Sequence, residues 1–279
     1  MDDRRTLLIT GCSSGIGLDA ARTMAARGWR VFATCRKEAD CARLREEGLE
    51  SFRLDVADEL SVADAMDETL ERTGGTLDAL FNNAAHAMPG ALEDIPRQAM
   101  REIFETNLFG AHDLARRAMP AMRRNGGGRI VNCSSILGLA ALRFRGPYNA
   151  SKFAMEGLTD TLRLELHGSP IKAILIEPGP ITTRIRVNAQ PHFEKWIDPE
   201  TSAWRKSYED EILPRLYAPE GGAPDLFELA PKAVSRKLVH ALESPRPRAR
   251  YYVTTPTYAV GLMRRILGTR MADALLRRA

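Results

Sequence analysis

The chain has 279 residues, of which 44% are hydrophobic and 27% are charged, a composition typical of a globular protein with one large core. Its formal net charge is +4, and because no nucleic-acid-binding motif accompanies it, a nucleic-acid-binding function is excluded. No apolar run is long enough to span a bilayer, the N-terminus does not resemble a signal peptide, and the four cysteines lack CxxC spacing. We therefore expect a cytoplasmic protein without a metal site.

Short apolar runs alternate with helical patterns along the first two thirds of the chain. The predicted strands are 5–10, 30–35, 51–54, 77–82, 129–133 and 172–177. The predicted helices are 16–28, 37–47, 61–72, 98–124 with a kink or break near Pro120, and 148–167. Strands that alternate with helices form parallel sheets with helices on both faces. The sequence therefore predicts an α/β fold, a doubly wound Rossmann-type parallel sheet.

The last third of the chain is less regular. Prolines and glycines interrupt residues 184–228, which we interpret as a loop-rich lid over the substrate. A helix at 231–242, a short strand at 250–253 and an amphipathic helix at 257–278 follow. We expect the apolar face of the last helix to pack against the body of the protein or across an oligomer interface, with peripheral membrane contact as the alternative. No change in composition marks a second domain, so 1–279 is predicted to be one domain.

A glycine-rich turn joins the first predicted strand to the first helix, where residues 10–17 read TGCSSGIG. Glycines permit a sharp turn and a close approach of the backbone to a phosphate, and the helix N-terminus supplies amide groups and the positive end of the helix dipole. A glycine-rich turn alone is weak evidence, because tight turns need glycine in any protein. The GxxxGxG spacing differs from the common GxGxxG fingerprint, and it predicts a phosphate cradle of a different type.

Further motifs follow the glycine-rich turn in order. They are NNAA at 82–85, Asn107, Ser135, YNASK at 148–152 and PGPITT at 178–183. Together the motifs resemble the short-chain dehydrogenase/reductase superfamily, in particular its hydroxysteroid- and retinol-dehydrogenase-like members and the bacterial aldehyde or ketone reductases. The resemblance runs from Thr6 to Thr183, and Ala85 stands where that family usually has glycine. If position 85 requires a positive φ, alanine costs roughly 1 kcal/mol there.

The resemblance implies a role for each motif. Ser135, thirteen residues before Tyr148, corresponds to the family's catalytic serine, with Ser134 in a structural role, and Asn107 to the residue that anchors a water beside Lys152. The implied catalytic residues are Asn107, Ser135, Tyr148 and Lys152. The implied cofactor contacts are Gly11, Ser13, Ser14, Gly15, Ile16, Gly17, Asp55, Val56, Asn83, Ala84, Tyr148, Lys152, Pro178, Gly179, Ile181 and Thr183. The family is usually oligomeric, and we expect a homodimer or homotetramer.

Tyr148 and Lys152 are four residues apart and share one face of the predicted helix. The pKa of tyrosine is normally near 10, and we expect the Lys152 ammonium together with oxidised nicotinamide to lower it. Tyr148 then acts as general acid when a carbonyl is reduced and as general base when an alcohol is oxidised. The same spacing is common on ordinary helix surfaces, so this assignment depends on the other motifs.

The end of the second predicted strand indicates which cofactor binds. Sites that prefer NAD place an acid there for the ribose hydroxyls, whereas this chain has Cys35 followed by Arg36. A guanidinium binds a 2′-phosphate well. An arginine at the end of a strand is often simply solvated, but the missing acid and the arginine together favour NADP(H).

Three segments are predicted to line the substrate pocket: 87–92, 137–146 and the lid. Their large side chains are mostly apolar, namely Met88, Leu137, Leu139, Leu142, Phe144, Phe193, Trp196, Trp204 and Tyr208. This composition favours a lipophilic aldehyde or ketone as substrate. Arg143 and Arg145 in the second segment either meet an acidic group of the substrate or, as we favour, are solvated or paired with carboxylates on a neighbouring subunit.

Two other functions remain open from the sequence. The same residues serve an alcohol dehydrogenase of the hydroxysteroid or retinol type that works in the oxidative direction. A non-catalytic NADP-sensing regulator belongs to another class, and it predicts damaged catalytic positions. Because all four implied catalytic residues are intact, catalysis is favoured.

Overall fold

The computed structural model describes residues 4–219 and 226–277. Within these residues six parallel strands form one sheet in the order β2-β1-β3-β4-β5-β6. The strands are β1 Thr6–Ile9, β2 Arg30–Ala33, β3 Ala79–Asn82, β4 Gly128–Cys133, β5 Ile171–Glu177 and β6 Arg250–Tyr252. The chain builds the sheet outward from β1 to β2 and then continues on the other side of β1 with β3. The predicted doubly wound Rossmann-type fold is confirmed.

Helices cover both faces of this sheet. They are α1 Gly15–Ala26, α2 Glu38–Glu46, α3 Glu59–Thr73, α4 Arg97–Phe104, α5 Gly110–Arg124, α6 Gly146–Glu165, α7 Ile185–Trp196, α8 Arg205–Ser207, α9 Leu213–Leu216, α10 Lys232–Glu243, α11 Thr255–Ile266 and α12 Thr269–Leu276. One buried cluster lies between the sheet and helices α1 and α10, and a second lies between the sheet and helices α3 and α5. The strands are buried because both of their faces are covered.

The predicted strand at 51–54 is wrong. This segment meets the edge of the sheet only through two isolated bridges, which pair Phe32 with Glu50 and Cys35 with Arg53. The chain then leaves the edge for α3, whose first turn is capped by the Asp58 carboxylate accepting from two backbone amides. Bridges without a continuous ladder do not make a strand, so the segment is an extended edge connection.

The predicted helix at 98–124 is three consecutive segments. Helix α4 runs into a π-helical turn at Glu105–Phe109, and α5 follows. The predicted break at Pro120 is wrong, because Pro120 lies inside α5 on its exposed side. Solvent there can satisfy the carbonyl that a proline leaves without an amide partner.

The lid at 184–228 is largely helical, so the prediction of a loop-rich segment is wrong. Helices α7, α8 and α9 and a π-helical turn at Tyr208–Ile212 make up most of its described part. Residues 220–225 of the predicted lid lie outside the described residues. Phe193, Tyr208 and Leu216 form a buried cluster that holds these short helices together.

The predicted terminal helix at 257–278 is two helices, α11 and α12, separated at Leu267 and Gly268. Its predicted apolar face comprises Val260, Met263, Ile266, Leu267, Met271 and Leu275. Three of these, Ile266, Met271 and Leu275, are exposed, so the prediction that they pack against the body of the protein is wrong. Residue 278 lies outside the described residues. In the described part of the chain, no helix is long and apolar enough to cross a membrane.

Candidate active site

The glycine-rich turn lies at the carboxyl end of β1, where the chain opens into α1. Gly11 and Gly15 have φ values of +73° and +58°, in the left-handed region that favours glycine. A Cβ added to Gly17 would lie 2.2 Å from the carbonyl oxygen of Gly11, so the turn closes on the first turn of the helix. Ser14 begins α1 without a side-chain cap, and the first turn carries no acid. The amides and dipole at this helix end therefore fit an anionic phosphate group.

The NNAA segment holds the glycine-rich turn in place. The Thr10 hydroxyl accepts from the amides of Asn83 and Ala84 at 3.0 and 2.9 Å. The Asn83 side chain donates to the carbonyls of Thr10 and Gly11 at 2.9 and 3.2 Å. Asn83 therefore shapes the phosphate cradle with its side chain. Ala85 is not among the described non-glycine residues with positive φ, so alanine causes no strain of that kind.

The end of β2 presents Arg36 to solvent and buries Cys35. Arg43 of α2, which the sequence analysis did not single out, donates to the carbonyl of Ser13 at 2.7 Å and adds a second guanidinium beside the turn. Asp55 accepts from the amide of Ala57 and forms a tight turn with Val56. Arg43 therefore places positive charge beside the glycine-rich turn.

The segment after β5 completes the cradle. Pro178 accepts from the amide of Ile136 at 2.7 Å, so it contacts the turn that follows β4. A Cβ added to Gly179 would lie 2.0 Å from the hydroxyl oxygen of Thr254, and one added to Gly15 would lie 3.1 Å from the methyl group of Thr183. Ile181 forms an isolated bridge with Leu229. The predicted segment Pro178–Thr183 therefore runs from the catalytic loop to the glycine-rich turn.

Ser135, Tyr148 and Lys152 converge at the carboxyl end of β4. Tyr148 and Lys152 lie on α6 and are almost completely buried. The Lys152 ammonium donates to the carbonyl of Cys133 at 2.8 Å and lies 5.5 Å from the centre of the Tyr148 ring. The Ser135 hydroxyl accepts from the amide of Leu137 at 3.1 Å, which fixes its direction. Ser134 is buried behind this group, against Gly138.

Burial controls the protonation of this group. Burial raises the pKa of Tyr148 above its ordinary value, the neighbouring Cys133 adds to the rise, and the Ser135 hydroxyl opposes it. Burial also lowers the pKa of Lys152, and nearby Cys133 and Glu156 oppose this change. In the protein alone burial therefore sets the direction of the Tyr148 pKa shift. The predicted lowering, which includes bound oxidised nicotinamide, stays a prediction.

Asn107 lies in the π-helical turn, where it is 1% exposed. Its amide nitrogen donates to the carbonyl of His86 and to the hydroxyl of Ser151, each at 3.0 Å, and its oxygen accepts from the His86 amide. Asn107 thus ties the segment after β3 to the catalytic helix one residue from Lys152. Such π-helical turns occur frequently at functional sites. The water link from Asn107 to Lys152 stays a prediction.

A cluster of five side chains that the sequence did not predict joins the lid to α4. We call it the latch, and its members are His86, Glu102, His192, Lys195 and Trp196. Glu102 of α4 accepts from His192 at 2.5 Å, Lys195 at 2.7 Å and Trp196 at 3.2 Å, all on α7. The His192 ring stacks on His86 with a centroid distance of 3.8 Å, and burial lowers the pKa of His86 to about 3. His86, Glu102 and His192 are metal-type ligands within 4.8 Å of one another, but the carboxylate is already engaged by the lid.

We expect Glu102→Ala to loosen the lid, because three hydrogen bonds to one charged acceptor are lost at once. Glu102 is partly solvated, so the effect should be moderate. The KM for the substrate should rise about tenfold, about 1.4 kcal/mol, while the cofactor Kd changes little. Steady-state kinetics and cofactor titration measure both.

Glu105→Ala removes an exposed glutamate three residues further along and is the matched control. An equal rise in KM in both variants would contradict the latch.

The lid and the loop after Ser135 surround Tyr148 with apolar side chains. Met88 and Tyr148 share a cluster with Leu137, Ile185 and Trp196, so two of the predicted pocket segments and the lid meet at Tyr148. The other predicted pocket side chains differ in their positions: Phe193 and Tyr208 are lid core, while Trp204 is 40% exposed.

The two arginines of the predicted pocket lie in different surroundings. Arg143 lies 3.9 Å from Glu211, and its guanidinium covers the Phe144 ring. Arg145 is partly buried, and burial lowers its pKa to about 10, with Arg215 and Arg186 adding to the effect. Arg143 therefore lies near a carboxylate of its own chain, and the predicted pairing with a neighbouring subunit stays a prediction.

A cluster of charged side chains joins helix α6, which carries Tyr148 and Lys152, to strands β5 and β6. Arg250 of β6 pairs with Glu156 and Asp160 of α6 and with Glu177, the last residue of β5. Glu177 is fully buried, and burial raises its pKa to about 7, with the Glu156 charge adding to the rise and Arg250 opposing it. This cluster joins β6, the catalytic helix and the start of the Pro178–Thr183 segment.

Comparisons with known proteins point to one family. The family described as short chain dehydrogenase matches residues 5–193. The uncharacterised oxidoreductase YbbO of Escherichia coli strain K12 is 40% identical over 98% of this chain and 94% of the relative. Human retinol dehydrogenase 8 is 35% identical over 88% of this chain and 80% of the relative. A short-chain dehydrogenase/reductase structure from Burkholderia phymatum in complex with NAD has a TM-score of 0.77 at 26% identity, covering 100% of this chain and 96% of that one.

Proposed function

The chain belongs to the short-chain dehydrogenase/reductase superfamily, and we propose that within it the protein reduces the carbonyl group of a lipophilic aldehyde or ketone with NADPH. The observation that carries the proposal is the convergence of Ser135 and Tyr148, backed by Lys152, beside the glycine-rich turn and beneath an apolar lid. NADPH supplies the hydride when bound.

Each catalytic side chain has a separate task in this proposal. The Ser135 hydroxyl, whose direction is set by its bond to Leu137, donates to the substrate oxygen and holds it near Tyr148. Tyr148 gives its phenolic proton to that oxygen as the alkoxide forms. The buried Lys152 ammonium stabilises the phenolate that remains. Asn107 keeps the segment at His86 and the catalytic helix in register.

In the reductive direction Tyr148 gives up its phenolic proton, which it holds at neutral pH because burial raises its pKa. The opposite direction, oxidation of an alcohol of the retinol or hydroxysteroid type, uses the same residues and is favoured by the likeness to human retinol dehydrogenase 8. Rates with aldehydes and ketones plus NADPH, compared with the matching alcohols plus NADP, decide between the two directions.

The choice of NADPH rests on this chain's own residues, because the Burkholderia phymatum structure contains NAD. The position where an acid would bind the ribose hydroxyls is the buried Cys35, and the exposed Arg36 can pair with a 2′-phosphate. Arg43, which already bonds the Ser13 carbonyl and Glu47, adds positive charge beside the glycine-rich turn. The free, buried cysteines also fit a reducing compartment such as the cytoplasm.

We expect the protein to prefer NADPH over NADH, and Arg36→Ala to reduce that preference. A charge-assisted pair between a guanidinium and a phosphate contributes about 1.5–3 kcal/mol, so the ratio of kcat/KM for NADPH to that for NADH should fall about 10- to 100-fold. Initial rates with each cofactor at fixed aldehyde give the ratio.

Arg22→Ala, which removes an exposed arginine of α1 that pairs with Glu47, should leave the ratio unchanged. A wild-type preference for NADH would contradict the cofactor proposal.

A further inference from the structure

The last two helices carry an unusual concentration of exposed apolar side chains. Five of the fourteen large apolar side chains that are exposed in the described part of the chain lie between residues 258 and 275. They are Tyr258, Leu262, Ile266, Met271 and Leu275, with exposed fractions of 48%, 60%, 68%, 62% and 55%. Scattered exposed apolar residues are normal, whereas a group of this density marks an interaction surface.

The five side chains, which we call the stripe, recur every four residues on each of the two helices. Tyr258, Leu262 and Ile266 are four residues apart and lie along one side of α11, while Met271 and Leu275 repeat this spacing on α12. The opposite side of α11 faces the body of the protein, where Thr257 is buried and Gly261 lies against the Tyr252 ring. Helix α12 has no buried residue. The stripe is therefore outside the core of the protein.

Basic residues accompany the stripe. Between residues 255 and 277 there are four arginines and one acid, Asp273, which gives a net charge of +3. One arginine, Arg264, donates to the carbonyl of Leu139 at 2.8 Å and covers the Phe153 ring, so it attaches α11 to the body. The other three, Arg265, Arg270 and Arg277, are exposed. We call the five apolar side chains and these three arginines the α11–α12 surface.

An apolar stripe with a basic border matches the interface of an anionic lipid bilayer, where apolar groups enter the acyl boundary and arginines meet phosphate groups. The helices have 12 and 8 residues, lengths that suit a helix lying in the plane of the interface. A second copy of this chain is a poorer match. A two-fold contact through the α11–α12 surface would place three arginines and one acid from each subunit in one interface, which therefore carries a net positive charge.

We propose that the α11–α12 surface docks on the surface of an anionic lipid bilayer. The attachment of α11 to Leu139 places this surface beside the loop that begins at Ser135. A lipophilic substrate dissolved in the bilayer would then enter the active site from the side of the loop. Docking itself is independent of the proposed reaction, since it requires neither cofactor nor turnover.

Vesicle flotation with the full-length protein tests the proposal. We expect co-flotation with vesicles of phosphatidylcholine and phosphatidylglycerol, weaker binding to phosphatidylcholine alone, and a loss of binding at high salt. Arg265→Gln with Arg270→Gln should lower the partition coefficient about 30-fold, since each arginine near an anionic surface contributes about a factor of five. Leu262→Ser with Ile266→Ser should lower binding to both vesicle types.

Arg123→Gln with Arg236→Gln removes the same charge from exposed positions on α5 and α10 and should bind like the wild type. Circular dichroism and thermal unfolding show whether each variant is folded, and light scattering gives its mass. Equal binding by the two arginine double variants would overturn the proposal. A second result would also overturn it: the wild type does not bind vesicles, and the Leu262→Ser, Ile266→Ser variant has half the wild-type mass. That result would identify the surface as an interface between copies of the chain.

Discussion

Tyr148→Phe is expected to lower kcat for carbonyl reduction by about 10³-fold while the NADPH Kd stays within about twofold of the wild type. Phenylalanine keeps the ring that packs with Met88 and Leu137 but has no proton to give to the substrate oxygen. Lys152 remains bonded to the Cys133 carbonyl, so its position does not depend on the lost hydroxyl. Single-turnover rates and a fluorescence titration of NADPH measure the two quantities separately.

Tyr208→Phe is the matched control for this result. Tyr208 is another fully buried tyrosine, and its hydroxyl donates to Asp94 at 2.7 Å and accepts from the Ala91 amide. Its removal should cost about 2–4 kcal/mol of stability, because two hydrogen bonds are lost and one of them is to a carboxylate, and leave kcat within a fewfold of the wild type. Turnover by Tyr148→Phe at more than a tenth of the wild-type rate would contradict the role of general acid.

The parts of the site that the sequence predicts are those formed by residues close together in the chain. Glycines in the turn at 10–17 are required by a local backbone path, and Tyr148 and Lys152 meet because four residues make about one helical turn. Alternating strands and helices indicate a parallel sheet wherever the apolar runs are long enough. These features depend on neighbouring residues, so a single sequence is sufficient to identify them.

The parts that were missed join residues that are far apart in the chain. Glu102 meets α7 some ninety residues later, and Arg250 meets Glu156 and Glu177 from a strand at the far edge of the sheet. Neither hydrophobic periodicity nor a sequence motif predicts contacts between residues so far apart in the chain. The lid is helical despite its prolines, because Ala189 and Phe193, four residues apart, bury one side of α7, which contains Pro191.

Arg250→Met is expected to lower the free energy of unfolding by about 3 kcal/mol at pH 8, and the melting temperature by several degrees. Arg250 is the shared cation of three carboxylates, two of which, Glu156 and Glu177, are buried. Methionine retains the apolar part of the side chain but leaves those charges without compensation. Because the guanidinium is 25% exposed, the loss should fall at the lower end of the range for a broken buried pair.

The loss should depend on pH in a direction that identifies its cause. Burial already raises the pKa of Glu177 to about 7, and the pKa of Glu156 is raised as well. Without Arg250 both values rise further, so protonation at pH 5 removes most of the uncompensated charge. A carboxyl whose folded pKa is raised contributes stability at low pH, and this contribution is lost as the pH rises through that pKa. The deficit of the variant should therefore be small at pH 5 and grow toward pH 8.

Urea unfolding of both proteins between pH 5 and pH 8 measures this deficit, with Arg248→Met, an exposed arginine two residues earlier, as the control. A deficit as small as that of Arg248→Met, or one that is larger at pH 5 than at pH 8, would contradict the compensation of buried carboxylates by Arg250. The cluster joins the catalytic helix to the strand that precedes Pro178, so the variant should also bind NADPH less tightly at pH 8 than at pH 5 relative to the wild type. The losses of stability and of cofactor affinity then have the same cause, the uncompensated charges of Glu156 and Glu177. Glu156 lies on α6, which carries Tyr148 and Lys152, and Glu177 directly precedes Pro178.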